Sequence, residues 1–237
     1  MELKRWFATP IGVVNFGEMS RAMNKRLIRV IDTEIDEMDN SEQRSWADNS
    51  ASTVKNLLQH TCFQQLDKVV TVSFQNILAE YGYNEDVLKD YIYIDYYWGN
   101  RATRGGWSRP HWHGTGQTLW SGVYYPQGYE IEGENLDEFN EDDWIFTGKN
   151  LPDDSGGFLC IQDNAMMSKG LITPSSKDIL AMPSEFVFRR WVKPRQGLLI
   201  LFPAWQEHFV EPVNKDETRY SISFSITISE SYWETKR

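Results

Sequence analysis

The sequence predicts a mainly β chain with N-terminal helices: a jelly roll with helices packed on one of its sheets. Apolar residues recur at helical spacing up to about residue 90 and at strand spacing afterwards. Gly and Pro then punctuate many short runs, at Gly105-Gly106, Pro126, Gly128, Gly156-Gly157, Pro194 and Pro203. Helices first and strands afterwards argue against a doubly wound α/β fold.

The first helix is predicted over Glu18 to Met38, with Met19, Met23, Leu27, Val30, Ile31 and Ile35 as its stripe. Asp39-Asn40-Ser41 punctuates. Ser52 or Thr53 is a candidate cap for a second helix through Leu57 and Leu58. Leu66, Val69, Val70, Phe74, Ile77, Leu78 and Tyr81 form a third stripe, which Gly82 ends.

The first strand, Tyr91 to Trp98, is rich in aromatic and β-branched residues. Thr118 to Tyr125, Gly157 to Gln162, Glu185 to Val192, Gly197 to Phe202 and Thr218 to Ile228 follow. The last has two faces. Arg219, Ser221, Ser223, Ser225 and Thr227 share one; Tyr220, Ile222, Phe224, Ile226 and Ile228 share the other. The apolar face suits helices. The polar face either lines a barrel interior or meets solvent.

A chain of 237 residues fits a single domain over 1–237. Residues 1–90 form a helical support region and 91–237 a jelly-roll core with an acidic loop at 127–156. In that loop Glu130, Glu132, Glu134, Asp137, Glu138, Glu141, Asp142 and Asp143 crowd together. Such a block reads as a solvated loop, with a lid and a disordered insertion as alternatives.

A net charge of -10 argues against broad phosphate-backbone binding, so no nucleic acid is expected. Cys62 and Cys160 form no metal knuckle or disulfide framework, which fits reduced thiols and a cytoplasmic location. Met1 to Val14 lacks the apolar core of a signal peptide, and no run is long enough to span a bilayer. No membrane partner is expected.

Three of the four histidines are placed for metal binding. His111 and His113 sit two residues apart, so on a strand both project to one face. His208 follows the apolar run Leu198 to Phe202, and Arg219 follows His208 after the turn residues Asn214-Lys215-Asp216-Glu217. Three protein ligands leave open positions, as non-haem Fe(II) oxygenases require, and they also suit zinc. Arg219 shifts the balance, because a guanidinium grips a carboxylate bidentately and Ser221 adds a hydroxyl on the same face.

The region from Ser108 to Ile228 resembles the 2-oxoglutarate- and Fe(II)-dependent oxygenases. The resemblance is to a family from marine bacteria and phages in particular, and more distantly to prolyl 4-hydroxylases. It rests on Arg109-Pro110-His111-Trp112-His113, Ser121-Gly122-Val123-Tyr124-Tyr125, Gly157 to Asp163, Pro194 to Pro203, His208, and Arg219 to Phe224. It implies a double-stranded β-helix (cupin-like) with helices on one sheet. It also implies Fe(II) and 2-oxoglutarate, with succinate and carbon dioxide as products and a small molecule or protein as substrate.

Carried over by position, His111 and His208 are iron ligands. Arg219 and Ser221, with Tyr125, face the far carboxylate of 2-oxoglutarate. The wider superfamily has Asp or Glu where His113 stands. His113 either ligates, or stands aside for another ligand or halide, or leaves its place to a carboxylate such as Asp163. Ligation by His113 is the expected outcome. Trp112, Trp205 and Asp163 are candidate substrate contacts. Two other readings stay open: a three-histidine cupin-type dioxygenase without 2-oxoglutarate, and a non-enzymatic jelly-roll binding module.

Overall fold

The computed structural model describes residues 9–38, 49–114, 116–129, 135–147, 151–153, 155–163 and 189–234. Residues 1–8, Asp39-Asn40-Ser41, Glu130, Glu132, Glu134 and the part of the predicted 185–192 strand before Arg189 lie outside the described residues. The strands are β1 (Gly12–Asn15), β2 (Ser50–Ser52), β3 (Ile92–Ala102), β4 (Ser108–His111), β5 (Thr118–Tyr124) and β6 (Ile145–Phe146). They continue with β7 (Leu159–Gln162), β8 (Arg189–Val192), β9 (Leu198–Pro203), β10 (His208–Val210) and β11 (Arg219–Ile228). The helices are α1 (Arg21–Asp36), α2 (Thr61–Glu80), α3 (Glu85–Tyr91) and α4 (Glu230–Glu234).

Two antiparallel sheets face each other. The larger runs β1-β9-β5-β11-β3-β2 and the smaller β4-β10-β7-β8-β6. The helices cover the outer face of the larger sheet. Leu27, Ile31 and Ile35 of α1 and Phe63, Leu66, Val70, Phe74 and Leu78 of α2 are buried against Tyr97, Trp120, Tyr124, Leu201, Ile222 and Phe224. Helix α1 packs closely because Gly99 of β3 lies beneath Ile31, where any side chain would collide. A second core of Val123, Tyr125, Leu159, Ile161, Leu198, Ile200 and Phe202 fills the space between the sheets.

The alternation of β11 decides the interior. Ile222, Phe224, Ile226 and Ile228 join the helix-side core. Arg219, Ser221 and Ser223 line a cavity between the sheets, so the polar face looks inward.

Several expectations need correction. Ser52 caps no helix, because it pairs with Asn100 in β2, where the ladder satisfies its backbone. Asn56 caps the short 3-10 turn Leu57–Gln59 instead, accepting from Leu58 N at 3.1 Å. Met19 lies in a 3-10 turn ahead of α1 and is 89% exposed. Helix α3 was not foreseen, although Asn84 caps it by accepting from Asp86 N and Val87 N.

Apolar residues anchor part of the acidic stretch. Leu136, Trp144 and Phe146 are buried. Arg195, itself buried, donates to the carbonyls of Asn135 (3.2 Å) and Glu138 (2.6 Å) and lies over the Trp144 ring. These contacts tie the described part of the segment to the rest of the fold. Cys62 and Cys160 are free and buried, and burial pushes the Cys160 thiol up to about 12. Among the described residues no helix is long and apolar enough to cross a membrane.

Candidate metal centre

Strand pairing, not sequence proximity, assembles the histidines. In the β10–β4 ladder His208 stands directly opposite His111. His113 follows two residues on, and its N–H donates to Ala204 O at 2.8 Å, which fixes the chain just past β4. One ring nitrogen from each histidine lies within 4.8 Å of the others, and this is the one such cluster among the described residues. The fourth histidine, His60, is elsewhere, paired with Glu34 at 2.9 Å.

Backbone carbonyls orient two of the rings. His208 Nδ1 lies 2.9 Å from Gln206 O, and His111 Nδ1 lies 2.8 Å from Arg109 O. A carbonyl only accepts, so each Nδ1 carries the proton and each Nε2 keeps its lone pair. Burial holds the imidazoles neutral. It pushes His208 down to about 3, with His111 and His113 adding repulsion, and His113 down to about 4. Burial lowers His111 as well.

The donor set fits a transition-metal ion. Two imidazole nitrogens held about 2.0–2.1 Å from one ion, at tetrahedral or octahedral angles, lie roughly 2.9–3.4 Å apart. His113 Nε2 and His208 Nε2 are 3.3 Å apart. Asp163, just past β7 and half-buried, is not part of the cluster.

A cavity of about 420 Å³ reaches from the histidines to Arg219. Arg219 is 5% exposed. Its Nε donates to Gly157 O (2.8 Å), its Nη1 to Ser221 Oγ (3.1 Å) and its Nη2 to Tyr125 OH (3.5 Å). Gly157 has φ +79 and sits against Tyr129, so only glycine suits the residue whose carbonyl aims this guanidinium. No carboxylate pairs with Arg219 among the described residues. A buried cation without an anion is costly, so the site is prepared to receive one.

The expected substrate residues separate. Trp112 lines the cavity and is 60% exposed. Trp205, 51% exposed in the turn before β10, and Asp163 are not among the lining residues. Sequence reasoning missed Trp98, Asn100 and Ser223, which line the cavity, although the two-residue period of β3 and β11 carried the signal. It also missed Gln206, for which no local pattern exists.

The fold and site define a jelly-roll protein whose three-histidine cluster can hold a metal ion, with a buried arginine in the same cavity. A family model described as "Putative 2OG-Fe(II) oxygenase" matches residues 96–225, and the chain belongs to that family. Its members are enzymes that use Fe(II) and 2-oxoglutarate. No curated protein matches the chain.

Solved structures share the fold at low identity. A Pseudomonas putida prolyl-4-hydroxylase is 14% identical, with a TM-score of 0.50 and 93% of each chain covered. The viral collagen prolyl hydroxylase of Paramecium Bursaria Chlorella virus-1, solved with 2OG, is 15% identical, with a TM-score of 0.52 and coverage of 92% of this chain and 96% of that one. The epimerase SnoN, in complex with Fe3+, alpha ketoglutarate and nogalamycin RO, is 12% identical, with a TM-score of 0.56 and coverage of 92% and 79%. These likenesses establish the double-stranded β-helix.

Proposed function

We propose that this Fe(II)/2-oxoglutarate oxygenase is a hydroxylase whose iron is held by His111, His113 and His208. Arg219, Ser221 and Tyr125 hold the far carboxylate of 2-oxoglutarate. The observation that carries this reading is the meeting, in one cavity, of three neutral imidazoles and a buried arginine with no carboxylate partner among the described residues. When bound, iron and 2-oxoglutarate supply the oxidising chemistry. The substrate C–H, O2 and 2-oxoglutarate become C–OH, succinate and CO2, and one oxygen atom enters each oxidised product.

The chain's residues perform the positioning. Gln206 O and Arg109 O keep Nδ1 protonated, so Nε2 would be free to hold the metal without a change of tautomer. Gly157 O and Ser221 Oγ hold the Arg219 fork flat for a carboxylate. Phe202, whose ring centroid is 4.6 Å from that of His208, keeps water from the buried side of the site.

The 1–90 region serves as the support that stiffens the larger sheet, and 91–237 carries catalysis within a single domain. Two free buried thiols favour a reducing, cytoplasmic location. A three-histidine dioxygenase without 2-oxoglutarate leaves Arg219 without a role, and a plain binding module leaves the neutral imidazole cluster without one. Anaerobic titration of the protein with Fe(II), then 2-oxoglutarate, tests the proposal. A visible charge-transfer band that His208→Ala abolishes is expected. Absence of metal uptake refutes it.

A further inference from the structure

One row of side chains crosses three strands at the cavity wall. In the register of the larger sheet Ser52 of β2 stands opposite Asn100 of β3, and Asn100 stands opposite Ser221 of β11. All three line the cavity. Ser223, two residues beyond Ser221 on the same face of β11, lines it as well.

The hydrogen bonds along this row run in one direction. A carbonyl only accepts, so Ser52 Oγ donates to Asn100 Oδ1 at 2.6 Å. That bond turns the amide nitrogen toward β11, where Asn100 Nδ2 donates to Ser223 Oγ (3.1 Å) and Ser221 Oγ (3.5 Å). Ser221 Oγ also accepts from Arg219 Nη1 at 3.1 Å. A guanidinium has no lone pair to offer, so this bond too falls on a lone pair of the hydroxyl. Two donors thus occupy both lone pairs of Ser221 Oγ, and its own proton is left to point elsewhere. Among the described residues the side-chain bonds of Ser221 and Ser223 are all of this accepting kind.

The direction matters for an anion. A hydroxyl offers an incoming carboxylate either its proton, which attracts, or a lone pair, which repels. An amide carbonyl turned toward β11 would take the serine protons and leave lone pairs facing the cavity. Ser52, by donating to Oδ1, holds the amide the other way.

We propose that Asn100 is a positioning residue of the co-substrate pocket, aimed by Ser52. Its amide holds Ser221 and Ser223 as acceptors, so their hydroxyl protons are presented to 2-oxoglutarate. The inference rests on the functional reading above and adds two residues to it. Ser52 lies outside residues 96–225, the part that the family model matches, so a strand of the N-terminal region tunes a pocket built by the family region.

The test is anaerobic calorimetric titration of the Fe(II)-loaded protein with 2-oxoglutarate. Asn100→Ala is expected to weaken 2-oxoglutarate binding about tenfold, because hydrogen bonds to a charged group are lost, and Ser52→Ala about threefold, because the amide loses only its aim. Fe(II) affinity is expected to keep its wild-type value in both, since neither residue belongs to the histidine cluster. A merely structural role is separated through the serines. In a Ser221→Ala/Ser223→Ala background, adding Asn100→Ala is expected to cost less than about twofold more, because residues that act through one another do not add. Wild-type 2-oxoglutarate affinity in Asn100→Ala overturns the proposal. So does an undiminished loss in the background without the serines, or a parallel fall in Fe(II) affinity. Should Asn100→Ala not fold, Ser52→Ala at the sheet edge decides: wild-type 2-oxoglutarate affinity overturns the proposal, and a loss that vanishes without the two serines supports it. The wild-type titrations separate the two failures. If the wild type binds Fe(II) and 2-oxoglutarate and the variants bind them equally well, only the role of Asn100 falls; if the wild type does not bind them, both readings fall.

Discussion

His113 Nε2 and His208 Nε2 lie 3.3 Å apart, close enough for one ion to bridge them and set by backbone contacts on different strands. In the proposed function His113 ligates, where the wider superfamily has a carboxylate, and this distance supports that reading. His113→Ala is therefore expected to weaken Fe(II) binding by more than the about 10–100-fold typical of losing an outer hydrogen-bond partner. His113→Asp is expected to keep the metal. Competition against a metal-sensitive dye measures both, and wild-type affinity in His113→Ala contradicts ligation.

Gln206 is 2% exposed, and its amide donates to the carbonyls of Gln162 and Glu207 while its own carbonyl faces His208 Nδ1. Gln206→Ala frees that carbonyl from its anchor. Fe(II) affinity is expected to fall about 10–100-fold. Stability is expected to fall by about 1–3 kcal/mol, because a buried carbonyl loses its donor. Urea unfolding with and without metal separates the two effects.

In the proposed function Arg219 carries the charge that the far carboxylate of 2-oxoglutarate would neutralise. Saturating 2-oxoglutarate with the metal bound is expected to stabilise the protein by about 2.7 kcal/mol at a hundredfold excess over Kd. Arg219→Ala is expected to lose that shift and to raise the KM for 2-oxoglutarate. Arg219→Lys keeps the charge without the planar fork and should recover only part of it. Thermal melts over a 2-oxoglutarate series check all three proteins.

The centre also predicts a pH dependence. An unfolded histidine titrates near about 6.5. In the folded chain burial holds His113 down to about 4 and His208 to about 3. Below about 6.5 the unfolded state thus binds more protons, so these residues' contribution is complete above that pH and is lost progressively down to about 3–4. Melting of the metal-free wild type should fall across this window more steeply than melting of a His113→Ala/His208→Ala variant. Equal slopes contradict the assignment. At pH 7 metal binding should release almost no protons, which titration in two buffers of different ionisation enthalpy measures.

Much of the fold was legible because amphipathic patterning is local. The stripe from Leu66 to Leu78 emerged as α2, and the two faces of 219–228 emerged as β11. Short segments were not legible. β1, β2, β4 and β10 have three or four residues each, too few to show a period, and they exist because neighbouring strands bond to them. The helix expected after Ser52 failed for the same reason: a ladder to β3 outweighed a capping signal.

By itself the sequence determined the residue chemistry: a His-x-His pair, a distant histidine, an arginine on a polar strand face, and a family resemblance that joins them. Only the tertiary structure decided which of these meet. The register of β10 on β4 brings His208 opposite His111, and the sheet pairing brings Arg219 to the same cavity and leaves Asp163 and Trp205 off its wall. It also turned a chain of net charge -10 into one whose cavity wall has arginines and no described carboxylate. The physical reason is that periodicity reports the face a side chain takes on its own strand. Which strand lies alongside is set by hydrogen bonds between segments far apart in the chain.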